Sequence, residues 1–241
     1  MDEKYILQEY YENYLKNVRK VKDVTVKKYT SGLQKNIELI NEKNLWRNPI
    51  NSIYEIGDMQ SLIDIRDILI NDVDFKEKDE RGNRMYSVAL KNYIRFAEGN
   101  DFLNKAGCYK QIDIPVEASL VKEASIFTYN RSSIIKDQAI KVAGYMCECD
   151  NGHSTFTARR TQMQYMEGHH LIPMKMQKEF RYSLDSYANI VSVCPICHRL
   201  LHYGVEKEKR GVLEELYQNR IGRLHQSGID ISKSDFLDLT L

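Results

Sequence analysis

The 241-residue sequence has no apolar run long enough to cross a bilayer, so no membrane-spanning helix is expected. Its first stretch, MDEKYILQEYYENYLKN, is acidic, tyrosine-rich and amphipathic, where a secretory signal would be basic and then apolar. A cytoplasmic protein without membrane contact is therefore expected. An excess of either charge is missing too: 35 Lys and Arg face 34 Asp and Glu, for a net charge of +1. From Lys141 onward the balance is 13 basic to 12 acidic. Any nucleic-acid surface must then come from local clustering and not from bulk charge. A disulfide framework is also unsupported, because five cysteines are an odd number and a cytoplasmic chain keeps its thiols reduced. Histidine is scarce, with six residues, yet five of them fall between His153 and His202.

What is present reads as an ordinary folded protein, 42% hydrophobic and 29% charged, long enough for two small domains. Leu7, Tyr11, Tyr14, Leu15 and Val18 recur at helical spacing, and Val26, Tyr29, Leu33, Ile37 and Ile40 repeat the pattern. NPINSIYEIGD is a break, after which Asp58 caps a helix through Leu62, Ile65, Ile68 and Leu69. KEKDERGNR reads as a charged turn and MYSVALKNYIRFAEG as a fourth helix. The tyrosine stripe reads as core. LKNVRKVKDVTVKKY is a basic cluster able to follow a phosphate backbone. The periodicity lapses from Gly99 to about Ser119, a helix is expected over Ser133 to Ala143, and another follows His202 with Leu213, Leu216, Tyr217, Ile221 and Leu224 on its packing face. No internal repeat is visible. The expected organisation is α+β: a mainly helical domain over 1–105, a linker and lead-in helix over 106–140, and a metal-stabilised domain with flanking helices over 141–241.

Cys108 stands alone, whereas Cys147, Cys149, Cys194 and Cys197 form two close pairs. Cys194 and Cys197 have C-x-x-C spacing, in which a tight turn aims two thiolates at one structural Zn2+. Two further ligands must come from Cys147, Cys149 and His153. Alternate side chains on an extended C-x-C do not converge without a turn, whereas the DNG between Cys147 and His153 signals one. The set Cys147, His153, Cys194 and Cys197 is favoured, with Cys149 as the alternative to His153. A second group lies nearby. In YMEGHHLIPM the adjacent His169 and His170 point to opposite faces of an extended strand. In CHRLLH the pair His198 and His202, four apart, share one helical face. Three imidazoles can thus gather around a catalytic divalent cation, leaving a fourth as a base, an arrangement suited to phosphodiester hydrolysis.

The order HH…N…H…H with flanking cysteines, in EGHHLIP and NIVSVCPICHRLLH, resembles the HNH nucleases of the ββα-metal class, particularly their restriction-type members. The resemblance spans roughly Tyr145 to Gly204, about a quarter of the chain. It implies that His170 is the general base, that His169 and His198 hold the cation, and that His202 completes the metal site or contacts the scissile phosphate. Asn189 would tie the loop together and orient the base, or bind metal as in some members, and Glu167 would orient a basic partner. C-E-C stands where many members have C-x-x-C. The implied activity is a metal-dependent endonuclease cutting double-stranded DNA, with structural Zn2+ and a catalytic Mg2+, Mn2+, Ni2+ or Zn2+. A restriction role is implied, with the N-terminal domain reading a sequence or modified base and a homodimer cutting both strands. A zinc-ribbon DNA-binding protein without catalysis, and a non-specific or mobile-element nuclease, are the alternatives. YLKNVRKVKDVTVKKYTSGLQKNI faintly resembles the core-binding domains of tyrosine recombinases.

Overall fold

The computed structural model describes residues 5–102, 109–118, 120–123, 126–129 and 132–241; Cys108 and part of the expected linker lie outside them. The chain divides into two compact units, 1–101 with 132–134, and 102–131 with 135–241. Among the described residues no helix is long and apolar enough to cross a membrane. Secondary structure is mostly helical with two small antiparallel sheets, an α+β composition.

Among the described residues, the regular structure of the N-terminal unit is helical. Helix α1 (Ile6–Asn13) runs into a short π-turn, and α2 (Asp23–Glu42) follows. Asp58 caps α3 (Met59–Asn71) by accepting from the Ser61 N–H at 2.9 Å. KEKDERGNR is not simply a turn. Its first six residues belong to α4 (Val73–Arg81), because Asp72 caps that helix at Phe75 and Phe75 buries its ring. Of the two large apolar residues in α4, Phe75 is buried and Val73 exposed, so its periodicity is weak. Helix α5 (Met85–Glu98) packs on α2, where a methyl group on Gly32 would come within 3.0 Å of the Ala89 Cβ. The tyrosine stripe is core: Tyr11, Tyr14 and Tyr93 are fully buried, and Tyr93 meets Tyr11 and Tyr54 edge-on at 5.1 and 5.3 Å.

In the C-terminal unit α6 (Tyr109–Ile112) precedes a hairpin, β1 (Leu120–Glu123) with β2 (Ile126–Tyr129), inside the segment read as a linker. Neither LVKE nor IFTY alternates apolar with polar residues, so no alternating strand signal appears in the sequence. Helix α7 (Ser133–Val142) leads toward the second hairpin, β3 (Glu167–His170) with β4 (Ile190–Val193), followed directly by α8 (Pro195–Tyr203). The long α9 (Glu206–Gln226) and the short α10 (Lys233–Thr240) complete the unit. Leu171, Ile172, Leu184, Val191, Val193, Leu213, Leu224 and Phe236 form its core. Two arginines of α9 brace the hairpin region from behind. Arg220, buried, pairs with Glu148 at 2.5 Å and donates to the Tyr187 and Ala188 carbonyls. Arg223 pairs with buried Asp113 and also donates to the Tyr187 carbonyl.

Candidate metal centres and active site

Three local rules position the functional side chains. On β3, Glu167 and His169 share one face, and Gly168 and His170 the other. Cys194 caps α8 by accepting from the Cys197 N–H, and Pro195 occupies the first helical position, which sets the start of the helix. With that start, Cys197 falls in the first turn and His198 and His202 stack one turn apart.

The first centre joins Cys147, His153, Cys194 and Cys197, whose ligand atoms all lie within 4.8 Å of one another. His153 Nδ1 is 3.3 Å from Cys197 Sγ and 3.7 Å from Cys194 Sγ. A tetrahedral zinc with ordinary bond lengths has S···N edges of about 3.6 Å, so the four side chains can hold such an ion. Burial would push the Cys147 thiol up, but backbone N–H groups led by that of Cys194, together with His153, hold it down at about 7. Burial, with Cys194 and Cys147 beside it, pushes Cys197 up to about 12. A bound cation reverses that penalty by stabilising thiolates. Cys149 packs close by but is not one of the four. Between the two cysteines, Glu148 accounts for the C-E-C sequence: its carboxylate accepts from the Ser192 N–H at 2.8 Å and from Arg220, tying the loop to β4 and α9.

The second centre gathers His169, His198 and His202, again within 4.8 Å. Their rings lie 4.8 to 5.2 Å apart in edge-on pairs. His198 Nε2 and His202 Nε2 are 3.1 Å apart, between the roughly 3.0 and 3.3 Å edges of right-angled and tetrahedral coordination. Glu167 meets His198 Nδ1 at 2.5 Å, leaving Nε2 to face the centre. The other Glu167 oxygen accepts from the Tyr165 hydroxyl at 3.0 Å. Burial raises this carboxyl and the two hydrogen bonds lower it; the net effect is below the ordinary carboxylate value. Burial pushes His169 down to about 3, with the neighbouring imidazoles adding to the effect. It is therefore neutral, as a metal ligand must be, throughout the physiological range.

His170 is not in this group. It points away, with Nε2 at 2.9 Å from Oδ1 of the buried Asp185. A proton donated there leaves Nδ1 as the bare acceptor. On the same strand face Gly168 leaves room for α7, since a Cβ at 168 would lie 2.4 Å from the Lys136 Cγ. Asn189 is fully buried and committed to backbone: Oδ1 accepts from the Ile172 N–H at 2.8 Å, and Nδ2 donates to the Ile172 and Leu184 carbonyls. Those three bonds make it the pin that joins the loop after His170 to the loop carrying Asp185. Asn189→Ala is expected to destabilise the C-terminal unit by about 2–3 kcal/mol through unsatisfied buried groups, read as a lower denaturation midpoint at unchanged m.

Asp185, Tyr165, Glu148 and Arg220 were not singled out in the sequence. Only proximity to the motif hinted at the first three, and nothing hinted at Arg220. No protein-family model matches the chain. Over 112 residues the sequence is 30% identical to the type IV methyl-directed restriction enzyme EcoKMcrA of Escherichia coli (strain K12). The match takes in 46% of this chain and 36% of that protein, so the chain spans about a third of its relative's length.

Proposed function

We propose that the C-terminal unit is an HNH nuclease domain and that the protein is a divalent-cation-dependent DNA endonuclease acting in restriction of modified DNA. The observation that carries the reading is the division of the β3 histidines. His169 joins two imidazoles of α8 at one point, while His170 faces the opposite way onto a buried carboxylate. A zinc ribbon without catalysis needs only the cysteine-rich centre and has no use for the second. The partial likeness to a methyl-directed restriction enzyme supports the biological role.

In this reading Cys147, His153, Cys194 and Cys197 hold a structural zinc, and His169, His198 and His202 hold the catalytic cation. Such a cation supplies positive charge against the extra negative charge and the leaving oxygen of a phosphodiester under attack. An all-imidazole donor set suits Mn2+, Ni2+ or Zn2+ better than Mg2+, which prefers oxygen. His170 takes a proton from water through Nδ1 while Asp185 holds the ring and stabilises its charged form. The oxygen of that water bonds to phosphorus and the P–O3′ bond breaks, giving 5′-phosphate and 3′-hydroxyl ends, the latter protonated from solvent. Glu167 orients His198, and Tyr165 orients Glu167. Tyr165→Phe is expected to weaken cation binding about tenfold without unfolding the unit, measured by calorimetric titration. One such centre per chain addresses one strand, so cutting of both strands calls for a homodimer.

The test is cleavage of methylated and unmethylated plasmid by wild-type chain in Mn2+, Ni2+, Zn2+ or Mg2+. Discrete fragments from methylated DNA alone are expected. Equal cutting of both plasmids would remove the modification dependence. A gel shift without cutting in any cation would sink the nuclease reading.

A further inference from the structure

We infer that the exposed face of α2 in the N-terminal unit is a contact surface for the phosphate backbone of duplex DNA; the choice of polymer rests on the nuclease reading above. Residues 16–35 contain seven basic side chains and one acidic one, Asp23. The rest of the chain, with 28 basic and 33 acidic residues, is net negative, so this segment is a local reversal of sign. Two of the seven have internal work. Lys16 pairs with Asp23 at 3.2 Å, and Arg19 turns inward onto the Tyr14 hydroxyl and Asn92. Lys20, Lys22, Lys27, Lys28 and Lys35 are exposed and make no ion pair among the described residues.

Their placement is regular. Lys27, Ser31 and Lys35 follow at i, i+4 and i+8 along one line of α2, with Lys28 flanking it. Eight residues of helix rise about 12 Å, the width of the DNA major groove, so Lys27 and Lys35 are spaced to reach phosphates on its two sides. Lys20 and Lys22 extend the patch from the turn before α2, where Lys20 takes the left-handed backbone at φ 56°. Acidic side chains return to α2 only at Glu38 and Glu42, toward its other end. The opposite face of the helix, with Val26, Leu33, Ile37 and Ile40, is buried in the unit's core. Val24 is the one large apolar side chain that α2 leaves exposed, too little to enter a lipid surface, which leaves a charged edge suited to a polyanion.

Each lysine–phosphate contact releases counterion and steepens the fall of affinity with salt by about 0.9 in log–log slope. The experiment measures binding of labelled duplex DNA by anisotropy, from about 50 to about 200 mM salt. It compares the 241-residue chain carrying His170→Ala, expected to bind without cutting, with the same chain also carrying Lys27→Ala, Lys28→Ala and Lys35→Ala. The expected result is a slope shallower by about 2 to 3 and at least about tenfold weaker binding at the low-salt end, with arginine at all three positions restoring both. All three sites are exposed, and equal melting temperatures would show that folding is intact. An unchanged slope overturns the inference and leaves the nuclease reading standing. Loss of the slope in a chain that cuts no plasmid in any cation keeps this surface and removes the nuclease. Equal or greater loss with single-stranded RNA than with duplex DNA overturns the assignment to duplex DNA.

Discussion

Cys194→Ala is expected to cost the protein its zinc and its folded C-terminal unit together. Apparent binding free energy at structural zinc sites is on the order of 10 kcal/mol, comparable with the whole stability of a domain at about 5–15 kcal/mol. Cys194 acts twice here. Its sulfur is one of four converging ligand atoms, and it also caps α8 at the Cys197 N–H. Its loss therefore removes a ligand and frees the first turn of the helix that carries His198 and His202. Metal analysis should find less than one zinc per chain, and circular dichroism should show loss of helix beyond α8. Cys149→Ala is the control and should keep full zinc. Should Cys149→Ala lose the metal while His153→Ala retains it, the four-cysteine set would replace the one assigned here.

His170→Ala is expected to lower the cleavage rate by about 10²–10⁴ while zinc content, melting temperature and DNA affinity stay near wild type. The side chain is only partly buried and its removal leaves the two metal centres intact, since it belongs to neither. Asp185→Asn is the companion test. It keeps the volume and a hydrogen-bonding group but removes the charge that stabilises a protonated imidazole, and it should reduce the rate less than His170→Ala does. A His170→Ala protein that cuts at wild-type rate would refute the base assignment. Loss of bound Mn2+ or Ni2+ in that variant would instead make His170 a ligand.

The side chains gathered at both centres are ones the sequence had already singled out, because the periodicities that gather them are local. Alternation on a strand separates His169 from His170, and the i, i+4 step of a helix aligns His198 with His202. Cys194 with Cys197, the Asp58 cap and the tyrosine stripe are equally short-range signals. Other features depended on contacts between residues far apart in the chain, for which spacing carries no information. That His153 joins the converging donors, with Cys149 packed against Cys147 and Cys197, depended on the path of one loop, and that path is held by Glu148 reaching Ser192 and Arg220. The partner of His170 comes from a loop that Asn189 pins to the backbone at Ile172 and Leu184. Local sequence determined which donors the chain possesses and which faces they take. Only the tertiary structure decided which of them meet and what stands behind each, because those meetings depend on buried hydrogen bonds and ion pairs between distant segments.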